Sequence, residues 1–293
     1  MPELPDIDVY ITRLGERIGG QVLRRAELAT PFLLRSVDPP LTFAEGRKVT
    51  SLRRLGKRIA IGLEGDYWLV LHLMIAGRLH WHDAFPGPGG RNRLAVFEFD
   101  GGALSLTEAG SKKRASLYFV HGARNMMAHD PGGLEPLQCS FDDFLEKLRS
   151  RNRTLKRALT DPGSISGIGN AYSDEILHEA GMSPLSLTGK ISDEDARRLY
   201  DATCKVLNAW RETLLAESAQ AFPEKVTAFR KDMAVHGKFG KPCPVCNTTV
   251  QRIRYKSNET NYCPGCQTGG KLLADRSLSR LLKADWPKNI DEL

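Results

Sequence analysis

Apolar residues near the start of the chain recur at three- and four-residue spacing. Leu4, Ile7, Ile11, Leu14 and Ile18 make one stripe, which predicts a helix over residues 4–18 stopped by Gly19-Gly20. From Val22 to about Val120 the period shifts toward two. The runs Ile59–Leu63, Trp68–Leu73, Leu94–Phe99 and Ala115–Val120 read as strands, with Glu64-Gly65-Asp66 and Asp100-Gly101 as hairpin turns. This stretch predicts a β-sandwich or barrel, with Pro86 to Gly90 as a flexible loop. Around 128–136, Asp130-Pro131-Gly132-Gly133 marks a boundary, and the helical period returns in Phe141–Leu148, Thr154–Leu159 and Asp193–Leu214. The expected fold is therefore α+β in two domains: an N-terminal β-sandwich with an N-terminal helix, then a helical domain.

Composition narrows the class. The 293 residues are 41% hydrophobic, enough for real cores. Lys and Arg number 42 against 35 Asp and Glu, a net charge of +7, which favours a polyanionic partner. No apolar run approaches the ~18 residues of a membrane span, and the N-terminus carries no secretory pattern, so the expected location is cytoplasmic. Six cysteines in a reducing compartment point to metal or free thiols.

Three motifs carry candidate chemistry. The first is Met1-Pro2-Glu3-Leu4-Pro5-Asp6. Loss of Met1 leaves Pro2 as a secondary amine beside the Glu3 carboxylate. An α-amino group titrates near ~7.7–8.0 and a lysine near ~10.4, so a terminal amine is a far better neutral-pH nucleophile. Equally, prolines suit the first turn of a helix, and the motif alone does not separate these readings. The second motif is Gly167-Ile168-Gly169-Asn170-Ala171-Tyr172. Asn170 is an expected N-cap, with Tyr172, Ile176 and Ala180 on one face; the glycines permit either close phosphate approach or a tight interhelical turn. The third is Cys243-x2-Cys246 and Cys263-x2-Cys266, with sixteen residues between the pairs, the spacing of a four-thiolate zinc site. Between them, Arg252, Arg254 and Lys256 alternate, so a strand there puts three cations on one face. Cys139 and Cys204 lie outside the zinc pattern and read as buried thiols.

Basic clusters at Lys48–Arg58 and Lys112-Lys113-Arg114, and His72 within a strand, are by themselves ordinary solvated or packed positions. Their order changes their weight. A Pro-Glu start, a β-rich half, a Gly-Ile-Gly-Asn turn and a four-cysteine ribbon together resemble the formamidopyrimidine-DNA glycosylase and endonuclease VIII family over nearly all of residues 1–267. The resemblance implies a base-excision DNA glycosylase with abasic-site lyase activity, acting on damaged, oxidised bases in duplex DNA. In it Pro2 is the Schiff-base nucleophile, Glu3 the acid/base carboxylate and Lys57 the catalytic hairpin lysine. His72 and Asn170 match phosphate contacts, residues 155–184 a helix-two-turn-helix element, and the four cysteines one structural Zn2+. The implied division is 1–130 for the catalytic sandwich, 131–235 for the helical DNA-binding domain, 236–270 for the zinc ribbon and 271–293 for an extension. A monomer is expected, nucleoid-associated when bound to DNA.

The chain departs from the family pattern in places. Asp6 replaces a glutamate, Thr107–Arg114 lacks the Arg-Phe wedge, Ile75 replaces the filling methionine, and Asn258 stands where a finger arginine is expected. Lys112, Lys113 and the Arg252, Arg254, Lys256 face are the candidate substitute DNA contacts. Leu278, Leu281, Leu282 and Trp286 suggest a short helix packed on the ribbon. The rival readings are a non-catalytic or lyase-only reader of damaged DNA and abasic sites, and a zinc-ribbon RNA factor.

Overall fold

The computed structural model describes residues 1–87, 89–224, 226–227, 229–255, 258–283 and 287–292. The chain forms two compact units, residues 1–131 with 210–228 and residues 132–209 with 229–293.

In the first unit, helix α1 (Leu4–Ile18) precedes strands β1 (Leu23–Leu28), β2 (Val49–Leu55), β3 (Arg58–Leu63), β4 (Tyr67–His72), β5 (Gly77–His82), β6 (Arg93–Phe99), β7 (Gly102–Glu108) and β8 (Ser116–His121), then the short helix α2 (Ala123–Met127). They make two four-stranded antiparallel sheets, ordered β1-β6-β7-β5 and β2-β3-β4-β8. Thus the expected sandwich is present. Alternation assigns the faces: Ile59, Ile61, Leu63, Leu69, Leu71, Leu117 and Phe119 enter the core shared with Ile7, Tyr10, Leu14 and Ile18 of α1. The opposite face is apolar as well, because Ala60, Trp68 and Val70 pack with Met126 of α2. This double burial explains the unbroken apolar run of β4. The sequence pattern missed β1 and β2, whose alternation is broken by Arg24-Arg25 and Arg53-Arg54, and β5 and β7, which alternate but offer no continuous apolar run because His80 and Ser105 sit between their apolar residues. Near the expected loop, Arg93 Nη1 donates to the carbonyls of Pro86 (3.1 Å), Gly87 (2.7 Å) and Gly89, so a guanidinium gathers these three residues.

The second unit contains α3 (Phe141–Arg149), α4 (Leu155–Thr160), α5 (Asn170–Glu179), most of α6 (Asp193–Glu217), the hairpin β9 (Gln251–Tyr255) and β10 (Asn258–Tyr262), α7 (Pro264–Thr268) and α8 (Arg276–Leu282). Helix α5 is buried from Ala171 to His178. Its N-cap is Gly169, one residue before the expected Asn170. Cys139 and Cys204 are half-buried, against the sequence expectation of burial, and both thiols donate to the Pro136 carbonyl at 3.8 and 3.7 Å. The C-terminal helix forms and touches β9, but Leu281 and Leu282 face solvent at 76% and 39% exposure. Polar contacts fasten this segment beside the buried Leu272: buried Asp275 accepts the Arg254 N–H at 2.7 Å, and Leu273 N donates to Tyr262 OH at 2.8 Å. Trp286 lies outside the described residues.

Candidate active site and metal centre

Helix α1 begins on the candidate residues of the first motif. Pro2 and Glu3 are buried, and Glu3 is the N-cap. Asp6 accepts the Glu3 N–H at 2.9 Å, and the two residues form a capping box. The shorter aspartate therefore suffices at this position. One turn on, Asp8 accepts from Arg54 Nε of β2 at 2.7 Å, which ties the helix to the sheet. With Leu4, Ile7, Leu14 and Ile18 of its apolar stripe fully buried and Ile11 partly so, α1 holds the first residues of the chain in one place.

Two amines converge electrostatically on one carboxylate there. Burial pushes the N-terminal ammonium below its ordinary pKa; Glu3 and Asp6 favour its charge, whereas Arg78 and Lys57 oppose it. Burial likewise lowers Lys57, and Glu3 offsets part of that shift. Lys57 sits in the two-residue β2–β3 turn after Gly56, whose φ of +60° suits glycine at the first turn position. Arg78 was not anticipated from sequence. Its Nη1 donates to the carbonyls of Gly77 (2.6 Å) and Ile75 (3.2 Å), and a cation directly after a strand-opening glycine was the only signal available. Ile75 is 59% exposed at the tip of this turn, next to Met74 in a left-handed conformation (φ +53°).

His72 ends β4, opposite Arg58 of β3 and Ser116 of β8. Burial, with Arg58 and Lys57 nearby, lowers its pKa to about 4. The Met74 N–H is donated to Nδ1 at 3.3 Å, so the neutral ring carries its proton on Nε2. Lys112 is exposed. Lys113 is engaged within its own loop: it donates to Asn92 Oδ1 at 3.2 Å and to the Glu108 carbonyl. The buried Glu108 carboxylate also accepts from the N–H groups of Arg114 (2.8 Å) and Ala115 (3.0 Å), closing the 109–113 loop.

In the second unit, the amide of Asn170 donates to the Glu259 carbonyl of β10 at 2.7 Å, so this residue fastens the hairpin to α5. Lys156 of α4 donates to the Asn170 carbonyl at 2.8 Å and pairs with Asp174, whose other oxygen meets His236 Nδ1 at 2.7 Å. Arg252 and Arg254 do share a hairpin face, facing Asn261 and Glu259 across the pair. Both contact Glu259 Oε2, at 3.3 and 3.1 Å, and Arg252 also lies 4.0 Å over the Phe239 ring. Asn258 is exposed. Lys256 lies outside the described residues.

The cysteines converge. Cys243 Sγ lies 3.8 Å from Cys266 Sγ, and Cys246 Sγ lies 3.3 Å from Cys263 Sγ. Four thiolates about 2.3 Å from a tetrahedral zinc stand roughly 3.8 Å apart, so the spacing fits that ion. Gly265 permits the closure, since a Cβ there would lie 3.0 Å from Cys246 Sγ and 2.6 Å from Thr248 Oγ1. A fifth donor was unforeseen. His178 belongs, with Cys243, Cys263 and Cys266, to a group whose ligand atoms all lie within 4.8 Å of one another.

Three family models match in chain order: the formamidopyrimidine-DNA glycosylase N-terminal domain over residues 1–114, its H2TH domain over 132–214, and the zinc finger found in FPG and IleRS over 240–269. The formamidopyrimidine-DNA glycosylase of Solibacter usitatus is 33% identical over 277 residues, covering 91% of this chain and 99% of the relative. The chain belongs to the formamidopyrimidine-DNA glycosylase family. It is thus an enzyme of the DNA-glycosylase class, and its ribbon is the family zinc finger carrying a structural zinc. An uncharacterized formamidopyrimidine-DNA glycosylase-like protein of Mycobacterium tuberculosis is 43% identical over 152 residues, 52% of this chain and 94% of that protein. Among solved glycosylase structures, the MutM (FPG) protein of Thermus thermophilus aligns with TM-score 0.77 and 31% identity over 91% of this chain and 98% of its own. A mutant of the Lactococcus lactis FPG, solved in complex with Fapy-dG-containing DNA, shares the fold at TM-score 0.80, 24% identity and 91% and 100% coverage. Among the described residues, no helix is long and apolar enough to cross a membrane.

Proposed function

We propose that this glycosylase excises a damaged, oxidised base from duplex DNA and then cleaves the strand at the resulting abasic site through the Pro2 nitrogen. The observation that carries the reading is the placement of Pro2 and Glu3, both buried at the fixed start of α1, where the terminal amine and Lys57 are each desolvated and each favoured in their charged form by Glu3. With Met1 removed, Pro2 presents a secondary amine where the Met1 ammonium now feels that carboxylate. The nitrogen lone pair attacks C1′ of the extruded nucleotide, the base leaves with the glycosidic electron pair, and the proton shed by the Pro2 nitrogen goes to the departing base. Glu3 then delivers a proton to the ring oxygen as the C1′–O4′ bond breaks, leaving an iminium. Loss of a C2′ proton expels the 3′ phosphate, and water releases the sugar from Pro2. Lys57, lowered by burial and close enough to sense Glu3, is the amine placed to exchange a proton with that carboxylate during the cycle.

The partner is duplex DNA with a damaged base or abasic site. Flipping costs a few kcal/mol, least at a lesion that pairs badly. His72 offers a neutral Nε2–H to a phosphate, and Asn170, Lys112, Lys113, Arg252, Arg254, Lys256 and Asn258 are the other proposed contacts. The working division is a catalytic sandwich at 1–130, a helical DNA-binding domain at 131–235, the zinc ribbon at 236–270 and an extension at 271–293. Since one chain supplies every group named, we take the acting species to be a monomer on cytoplasmic, nucleoid DNA.

Borohydride trapping on a duplex with one abasic site tests the reading, with the N-terminal mass measured on the same sample. A covalent adduct is expected from protein lacking Met1 and none from protein with a residue retained before Pro2. No adduct from protein that lacks Met1 and binds the duplex tightly would make the chain a reader of damage instead.

A further inference from the structure

The zinc fit accounts for four cysteines and leaves the fifth donor without a task. His178 lies on the last turn of α5 and is 8% exposed, and its Nε2 is 3.2 Å from Cys243 Sγ. The other thiols with described donors are served from within the ribbon: Cys246 by Thr248, and Cys263 by the Cys266 N–H at 3.5 Å. Cys243 is 2% exposed, so its sulfur has little access to water. A zinc-bound thiolate accepts hydrogen bonds and cannot donate, which makes Nε2–H the donor in this contact.

We propose that His178 is a positioning residue of the zinc site, giving its Nε2–H to the Cys243 thiolate from outside the four-sulfur shell and fastening α5 to the metal-bearing knuckle. The bond does two things. It takes electron density from one of four thiolates, which lowers that sulfur's nucleophilicity while the ion stays four-coordinate. It also couples metal occupancy to the helix that begins at Asn170. Two bonds of Gln267 add to the attachment: its amide donates to the Met182 carbonyl at 2.9 Å, and its Oε1 accepts the Cys263 N–H at 2.8 Å. The ribbon is therefore attached to the last turn of α5 through a histidine bonded to one metal ligand, and just beyond that helix through a residue flanking another.

The test uses the zinc-loaded full chain and its cobalt-substituted form. His178→Leu should release zinc to a chromophoric chelator about 10-fold faster or more, shift the cobalt–thiolate charge-transfer band to lower energy and speed alkylation of Cys243 by iodoacetamide. His178→Gln, which keeps an N–H within reach, should return all three readouts toward wild type; a merely space-filling role would instead favour leucine over glutamine. A measurement without substitution guards against a leucine variant that does not fold. Two-bond 1H–15N correlation spectra of the wild-type zinc protein should show the His178 ring protonated at Nε2. An unprotonated Nε2, or a folded leucine variant with wild-type zinc release and cobalt spectrum, would overturn the proposal.

Discussion

His72 shows how one buried ring couples stability to pH. In the unfolded chain a histidine takes up its proton near pH 6.5; in the folded protein burial and the Arg58 and Lys57 cations delay this to about 4. Between those values the unfolded state binds more protons, so stability is fully present above pH 6.5 and declines as pH falls toward 4. The loss between pH 7.5 and 5 amounts to about 2 kcal/mol from this residue. His72→Gln should remove that part of the pH dependence, read as the difference in urea-unfolding free energy at the two pH values. An equal pH dependence in variant and wild type would show that His72 does not stay neutral in the fold. Glu3 gives a second residue-scale expectation. It is the largest influence raising the pKa of the terminal amine, so in Glu3→Gln the trapping of a preformed abasic site should move its pH profile to lower pH. Base excision, which needs the proton donor, should fall by roughly 10²-fold or more. A profile that stays in place would separate the amine from Glu3.

Helix α5 organises the second unit. Its first residue holds β10, its last turn meets Cys243, and in between Glu175 accepts three backbone N–H groups, from Ala234 (2.7 Å), Val235 (2.9 Å) and His236 (2.8 Å). A buried carboxylate with three such bonds is strongly anchored, each bond to a charged group being worth ~1.5–3 kcal/mol. Glu175→Ala should therefore destabilise the second unit by about 3 kcal/mol or more and open the 229–240 segment to protease, while the sandwich keeps its unfolding transition. A thermal scan with limited proteolysis checks both. Helix α5 also shows where sequence reading ends. Its existence, apolar face and glycine-rich start were legible because local spacing encodes them. The tasks of Glu175, His178 and Asn170 were not, because their partners lie far away along the chain, in the ribbon and the segment leading to it. The sandwich divides in the same way: β3, β4, β6 and β8 declared themselves by apolar runs, whereas β1, β2, β5 and β7 bear charged or polar residues within their alternation. Pro2 and Glu3 stood out in the sequence as candidate chemistry, whereas Arg78, which acts on the same terminal amine, did not.

At the scale of the whole molecule, a net charge of +7 is too small to predict strong binding unless the cations are concentrated where phosphates pass. On the hairpin they are concentrated but shared, because Glu259 takes both Arg252 and Arg254, and the Arg254 side chain stays 59% exposed. Exposed pairs of this kind contribute little to stability and are readily exchanged for a phosphate. The exchange has a signature. Each phosphate neutralised releases counterions, which steepens the fall of log K with log salt by about 0.9. If Arg254 leaves Glu259 for the backbone, Arg254→Gln should reduce the slope by about that amount and weaken binding alike on lesion-bearing and undamaged duplexes. Glu259→Gln, which frees both arginines without adding a contact, should keep the slope and tighten binding. Titrating a duplex bearing an uncleavable abasic-site analogue at several potassium chloride concentrations reads both quantities. A slope unchanged by Arg254→Gln would remove the hairpin from the DNA footprint and leave its arginines as internal partners of Glu259.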